Sequence, residues 1–323
     1  MKGKSATTLT QISTDPADLH DGDFWAVTVD YEGNWHCAKF ADVYDDPFPP
    51  TEVWRPSFEQ WQSEMSREEY ILYVERIRDA IAQGDLYQCN ACRKFSRPND
   101  QPMESLFVEL MKENPSPYAS FLRTPHKEIA SASPELFLEI KVRDGARRVK
   151  SSPIKGTSRT PTFLEKDSPE NIMIVDLIRN DLGIVCEVGS IETPRVLAVE
   201  QHPGLYHLVS DVVGRLRADV DWPTISDRLL PAGSISGAPK SSAIKMIAAN
   251  ESTRGPYTGV IGWVHGDEAV LAVAIRTFWQ ESGRLHFGTG AGITWGSDAS
   301  IEWDETELKA ARLLAIADGR FLS

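Results

Sequence analysis

The stretch Tyr257–Phe278, YTGVIGWVHGDEAVLAVAIRTF, alternates along a run rich in valine and isoleucine and is broken once, at His265-Gly266-Asp267-Glu268. Alternation sends successive side chains to opposite faces of a strand, and a short polar break carrying glycine between two such runs reads as a β-hairpin. Further strand signals lie at Tyr118–Leu122, Leu136–Val142 and Arg284–Phe287, and Asp23–Lys39 gathers aromatic and β-branched residues around the turn Glu32-Gly33-Asn34. Helical signals are interspersed. Ser66 precedes Glu69 by three, a capping box, and Tyr70, Tyr73, Val74, Ile77, Ala80 and Ile81 recur at helical spacing until Gly84. Further helices are expected at Pro169–Leu182, with Gly183 just beyond the end, at Pro239–Ala249, and at Glu302–Ala317. Long strands mixed with helices, without strict βαβ alternation, indicate the α+β class. Residues 1–20 read as poorly ordered. Asp45–Pro56, with Pro47, Pro49, Pro50 and Pro56, reads as a linker or an extended crossing strand.

The 323 residues amount to two average domains or one large one. With 41% hydrophobic and 25% charged residues the chain is an ordinary globule, which excludes disordered, collagen-like and membrane classes, and no apolar run of about 18 residues occurs. The excess of 47 acidic over 34 basic residues, a net charge of −13, argues against a nucleic-acid surface. It leaves room for a small anionic substrate, which senses only its pocket, and for a bound divalent cation. Cys37, Cys89, Cys92 and Cys186 are too few and too scattered for a disulfide framework; Cys89 and Cys92 form a single C-x-x-C, and free thiols are expected. Met1–Thr10 lacks an apolar signal region, so a reducing, cytoplasmic location with no membrane partner is expected.

Chemistry concentrates after residue 130. Glu135, in Ser133-Pro134-Glu135, precedes an apolar strand; there it is either a solvated strand start or a desolvated carboxyl suited to general acid catalysis. Lys155, in Pro153-Ile154-Lys155-Gly156-Thr157, is either a surface lysine in a turn or an amine made nucleophilic by apolar neighbours. Glu170 falls in the first turn of a helix, and Glu302 and Glu305 share one face of the last helix. Three carboxylates without histidine or cysteine suit a hard cation such as magnesium, although spacing does not bring Glu170 to the other two. Gly288-Thr289-Gly290-Ala291-Gly292 follows a strand, leaves its amides free for an anion, and does not match a dinucleotide or P-loop pattern. Gly233-Ser234-Ile235-Ser236-Gly237-Ala238-Pro239-Lys240 fits an anion site or a plain capped turn equally well.

Taken in order, these segments resemble the chorismate-utilising enzymes over roughly residues 66–318. The resemblance also rests on Gly84-Asp85-Leu86-Tyr87-Gln88-Cys89-Asn90, Ile174-Val175-Asp176-Leu177-Ile178-Arg179-Asn180-Asp181, Tyr206-His207-Leu208-Val209-Ser210, Ala274-Ile275-Arg276, and Asp304-Glu305-Thr306 with Lys309. It implies a sandwich of two antiparallel sheets with helices outside, as one large domain: residues 61–323 would bind chorismate and residues 1–60 would form an abbreviated segment packed on it. Where this chain has Lys155, anthranilate synthases resemble Pro-Ile-Ala-Gly-Thr; the lysine version is similar to aminodeoxychorismate synthase component I. The isochorismate and salicylate branch resembles a lysine base in place of Gln88, and an amide does not deprotonate water at neutral pH.

The resemblance implies that Glu135 protonates the departing C4 hydroxyl, Lys155 is the nucleophile and His207 orients or handles protons near the ring. Glu170 and Glu305, with Glu302 as ligand or water-linked neighbour, would hold Mg²⁺ against the ring carboxylate. Tyr257, Arg276 and the glycine loop at Gly290, Ala291 and Gly292, through the amides of Gly290 and Gly292, would grip the enolpyruvyl carboxylate, and Gly156, Thr157, Ser190, Lys240 and Lys309 would line the same pocket. The implied activity converts chorismate and ammonia, delivered by a glutamine amidotransferase subunit, to 4-amino-4-deoxychorismate for 4-aminobenzoate and folate synthesis. The alternatives are an anthranilate-forming or secondary-metabolism enzyme and a silent chorismate-binding subunit. Two departures stand out: Ser158–Ser168 is short for the family, and Pro169 directly precedes Glu170.

Overall fold

A computed structural model describes residues 3–45, 52–57, 59–158, 160–163, 165, 167–202 and 205–320. In chain order the elements are β1 (Ser5–Ser13), β2 (Phe24–Val29), β3 (Trp35–Tyr44), β4 (Gln62–Ser63), α1 (Arg67–Ala82), β5 (Gln88–Pro98), α2 (Met103–Glu113), β6 (Ser120–Arg123), β7 (Glu128–Ser131), β8 (Leu136–Arg143), β9 (Ala146–Ser152) and β10 (Ile154–Ser158). There follow α3 (Asp167–Val185), β11 (Glu192–His202), β12 (Leu205–Arg215), α4 (Trp222–Leu229), the single turn α5 (Gly233–Ser236), β13 (Gly237–Ala238), α6 (Lys240–Asn250), β14 (Val260–His265), β15 (Glu268–Val273), β16 (Thr277–Glu281), β17 (Arg284–Ile293) and α7 (Ala299–Ala317).

Two antiparallel sheets result. A ten-stranded sheet runs β1-β3-β2-β14-β15-β8-β9-β12-β10, with β11 also on β12; a seven-stranded sheet runs β13-β5-β17-β16-β7-β6, with β4 on β5. The hairpin read from the sequence is β14–β15, closed by Gly266-Asp267 with His265 opposite Glu268. Residues 5–44 do more than pack on the main domain, because their strands extend its large sheet. β2 pairs with β14 from Phe24–His265 to Val29–Val260, so the amino-terminal strands share the ladder of the chain's last third. The expected disorder of residues 1–20 is likewise corrected for residues 3–20, because β1 pairs with β3 from Ser5–Tyr44 to Ser13–Cys37. Pro47, Pro49 and Pro50 lie outside the described residues. The segment after them is no free linker, since Trp54 is buried and its indole N–H donates to the Ala317 carbonyl at 2.8 Å.

Ala38 and Ile261 of the large sheet meet Cys92, Leu122, Ile129 and Trp279 of the smaller one in a single buried cluster. Elsewhere Val27, Leu138 and Val212 of the large sheet pack in one cluster with Ile174, Ile178 and Leu182 of α3 and Trp222 and Ile225 of α4. Phe95, Phe278 and Phe287 of the smaller sheet pack with α2 through Met103, Leu106 and Leu110, and with α7 through Ala310, Leu313 and Ile316. The helix α1 forms as the sequence indicates: Ser66 and Glu69 close the capping box, Tyr70, Tyr73, Val74, Ile77 and Ala80 are buried, and Gly84 follows at φ 84°.

Two boundaries differ from expectation for physical reasons. The helix α3 continues through Gly183 to Val185 because Ile174, Ile178, Leu182 and Val185 keep one stripe buried, and that burial outweighs the roughly 1 kcal/mol helix penalty of glycine. Gly288–Gly292 is not a loop but the second half of β17, paired with β5 through Gly290–Cys92 and Gly292–Asn90.

Candidate functional site

The site lies where the edge of the large sheet meets β5 and β17. Lys155 stands on β10, whose ladder sets Thr157 opposite His207 of β12; nothing further is described for the Thr157 side chain. Gly156 has φ 85°, and a Cβ there would come within 3.1 Å of Asp167, so glycine is what lets β10 approach the start of α3. That start places Glu170 in the first turn, and Pro169 is tolerated because the first turn has no intrahelical partner for its N–H. The smaller sheet supplies Gln88, at the start of β5, and Gly292: a Cβ on Gly292 would lie 2.6 Å from the Gln88 amide nitrogen and 3.9 Å from the Lys155 ammonium.

Glu135 is only 5% exposed. Burial pushes its carboxyl above the usual carboxylate range, while the Lys155 charge and a hydrogen bond from the Ser234 side chain act against the rise. Burial pulls Lys155 below the usual ammonium range; the carboxylates of Glu135, Glu170 and Glu305 oppose that fall and Lys309 adds to it. The Lys155 ammonium donates to the Ser234 carbonyl at 3.4 Å. A cavity of about 20 Å³ beside Glu135, bordered by Ser234, Ser151 and Asp181, is large enough for one water.

Arg276 occupies a residue conformation with φ 53°, in the left-handed region. Its side chain is half-buried, burial alone lowers its pKa, and among the described residues no carboxylate or carbonyl engages its guanidinium. Arginine stays charged in proteins, so this is a desolvated cation held in a strained residue, the arrangement expected of a carboxylate receptor. Lys309 donates to the Gly290 carbonyl at 3.1 Å and pairs with Glu305 at 2.6 Å. β16 pairs with β17 only as far as Phe287, so among the described residues the opposite edge of Gly288–Gly292 has no strand partner.

Other expected residues fall elsewhere. Ser190 is a correction: its hydroxyl donates to the Glu187 carbonyl in an exposed turn, and its oxygen accepts the amide N–H of Arg215, at the far end of β12 from His207. Eight residues of strand are about 26 Å, which takes Ser190 out of the pocket. Lys240 is a wall residue, its ammonium held by Asp181 at 2.7 Å and the Leu229 carbonyl at 3.4 Å. Ala291 points into the core and offers only its backbone. The Tyr257 ring lies behind the glycine strand, 2.2 Å from where a Gly288 Cβ would sit, and its hydroxyl faces the Cys92 sulfur at 4.0 Å. Cys89 and Cys92, three apart on β5, point to opposite faces and form no metal or redox pair. Burial drives both thiols up to about 12.

Glu170 and Glu305 both act on Lys155, and these hard oxygen donors suit magnesium, which takes one or two carboxylates and completes its shell with water and substrate oxygens. Glu302 is buried and accepts from the Ser297 hydroxyl at 2.7 Å. Among the described residues no three acidic, histidine or cysteine side chains gather as a metal-binding group. The contribution of Ser234 escaped the sequence reading; its segment stood out, but as an anion site or a capped turn. A larger opening of about 420 Å³, between α1, β5 and the loop after α6, is lined by charges that are already paired, among them Glu64 with Lys94 and Glu251 with Arg254.

The sequence pattern of chorismate binding enzymes matches residues 17–315. The chain belongs to the chorismate-binding enzyme family. It is 36% identical over 317 residues to "Anthranilate synthase component 1 1" of Haloarcula marismortui, covering 92% of this chain and 63% of that protein. It is 32% identical over 317 residues to "Aminodeoxychorismate synthase component 1" of Klebsiella aerogenes, covering 90% of this chain and 68% of that protein. The chain thus spans about two thirds of the length of these chorismate-binding relatives. The crystal structure of anthranilate synthase component I from Streptococcus pneumoniae superposes with a TM-score of 0.79 at 26% identity, covering 90% of this chain and 80% of that one. The family's double-sheet architecture is therefore the fold of this chain.

Proposed function

We propose that this chorismate-binding enzyme aminates chorismate at C4 to give 4-amino-4-deoxychorismate. The observation that carries the reading is the half-buried Lys155 facing the buried Glu135, since an amine with a lowered pKa beside a carboxyl with a raised one is a nucleophile next to a general acid. The neutral Lys155 amine bonds to ring carbon C2, both ring double bonds shift one position round the ring, away from C2 and toward C4, and the C4–O bond breaks as Glu135 gives its proton to the departing hydroxyl, releasing water. Ammonia then bonds to C4, both double bonds shift back and the C2–N bond to Lys155 breaks, with the surplus ammonia proton returning to Glu135. The enolpyruvyl group stays in place, its carboxylate on Arg276. Magnesium, held by Glu170 and Glu305, supplies positive charge against the ring carboxylate. Gln88 cannot act as a base toward water, which supports ammonia over water as nucleophile. The ammonia would come from a glutamine amidotransferase partner, and the product would serve 4-aminobenzoate and folate synthesis.

The test is a product assay. Purified chain with chorismate, magnesium and ammonium salt is expected to form aminodeoxychorismate by mass spectrometry, and Lys155→Ala to lose at least about 10²-fold in rate. Anthranilate with pyruvate as the product, or full activity in Lys155→Ala, would overturn the reading.

A further inference from the structure

Outside the reacting groups, Arg254 is among the most enclosed cations of the described residues, 1% exposed. Its guanidinium donates to three elements that wall the site: to the Asn90 carbonyl of β5 at 2.7 Å, the Ile235 carbonyl of α5 at 3.1 Å, and the Thr258 hydroxyl at 3.4 Å. Two of these acceptors lie within two residues of a group already placed at the site, and the third adjoins Tyr257 behind the glycine strand. Asn90 lies two residues from Gln88 and opposite Gly292; Ile235 follows Ser234, which holds Lys155 and Glu135; Thr258 follows Tyr257. Glu251 completes the cluster, bonding Arg254 through both oxygens at 2.7 and 2.8 Å while also accepting from the Tyr73 hydroxyl at 2.8 Å and the Cys92 amide at 3.0 Å. The guanidinium lies 4.5 Å from the centre of the Tyr31 ring, and Glu32, in the turn singled out in the sequence, accepts from the Arg254 and Gly255 amides at 2.7 and 3.1 Å.

We infer that the Arg254–Glu251 pair is a positioning device that holds Ser234, and through it Lys155 and Glu135, at a fixed distance from the Gln88 and Gly292 wall. A planar fork with five donors is the one side chain that joins three separate carbonyl and hydroxyl acceptors and a carboxylate at once, and lysine, with a single nitrogen, does not. α5 is a single turn with no side-chain cap on its start, and Arg254 supplies a side-chain donor to its Ile235 carbonyl. Misplacement of reacting groups by about 1 Å costs on the order of 10²-fold in rate, which gives the pair a large effect from outside the reaction centre. The role in turnover rests on the amination reading; the fixing of Lys155 does not.

The experiment uses Arg254→Lys and Glu251→Gln in the whole chain, with Leu110→Ala, on the buried face of α2, as a control that destabilises without touching the pair. Two readouts are taken on folded protein: kcat and KM for chorismate with ammonium, and the pH midpoint for labelling of Lys155 by an amine-reactive reagent, followed by peptide mass spectrometry. In both pair variants, and not in the control, turnover should fall by about 10-fold or more while KM stays within about 3-fold, and the Lys155 midpoint should shift. A folded Arg254→Lys or Glu251→Gln with wild-type turnover and an unmoved Lys155 midpoint would overturn the inference, as would an equal shift in the control. Should the wild-type chain yield a product other than aminodeoxychorismate, the amination reading falls while the labelling readout still decides the role of Arg254. Should Arg254→Lys fail to fold, Glu251→Gln, which keeps the shape and the acceptor for Tyr73, carries the test.

Discussion

Burial drives Glu135 and Lys155 in opposite directions, the carboxyl toward keeping its proton and the amine toward losing it. Amination needs the acid protonated and the amine neutral, so activity falls at low pH, where both hold protons, and at high pH, where neither does. A bell-shaped kcat/KM profile is expected, its two limbs belonging to the pair rather than to either residue. Glu135→Gln should reduce the rate by about 10²- to 10⁴-fold and leave only a limb that rises with pH. The midpoint of that limb should lie below the pH at which Lys155 titrates in the unmodified chain, because removing a carboxylate removes a force that raises Lys155; a surviving basic limb in the variant would assign that limb elsewhere. Lys155 and Glu135 were singled out in the sequence by the family resemblance, since their own neighbourhoods also fitted a turn lysine and a solvated strand start; burial is what the structure adds. Ser234 was less legible, since part of its work is done by a carbonyl that every residue has. Ser190 misled for the converse reason: its hydroxyl serves a turn, and nothing in its identity distinguishes that from binding.

At the scale of elements, β5 was not read from the sequence at all. Its residues QCNACRKFSRP include Arg93 and Arg97, both nearly inaccessible, so the alternation of apolar with polar residues that announces a strand is missing. Arg93 is compatible with burial because its guanidinium lies against the Phe95 and Trp303 rings at 4.5 and 3.8 Å and its Nε donates to Thr306 at 3.0 Å. β17 was half read, since glycine disfavours strands unless a neighbour needs the space. That need makes a signed prediction. Gly288→Ala would drive a methyl into the Tyr257 ring and should cost about 1–3 kcal/mol or more, whereas Gly183→Ala, on the open face of α3 with nothing within 4 Å, should gain about 0.5–1 kcal/mol. Denaturant midpoints of the two variants measure both signs, and equal shifts would contradict the packing of Tyr257 behind β17.

Across the whole molecule, the α+β class and the helix–strand mixture were legible, but the order of strands in the sheets was not, because pairing across hundreds of residues leaves no local trace. β1 is an edge strand with mostly exposed side chains, while β2 is interior and holds β14. A chain starting at Thr14 should therefore remain soluble and folded with a modest loss of thermal stability. One starting after Tyr44 should aggregate, since the freed edge of β14 offers a row of unpaired amides and carbonyls. Soluble, cooperatively melting protein from the shorter chain would refute the strand order.

The pairing of β2 with β14 also sets a clock for biosynthesis. Roughly 230 residues separate the two strands, and at ~5–20 residues per second the ribosome needs about 10 to 50 s to deliver the partner. During that interval β2 and β3, carrying Trp25, Val27, Val29 and Trp35, must stay unpaired on one side without finding another edge, so the hairpin is the segment of the nascent chain most in need of protection by a holding chaperone.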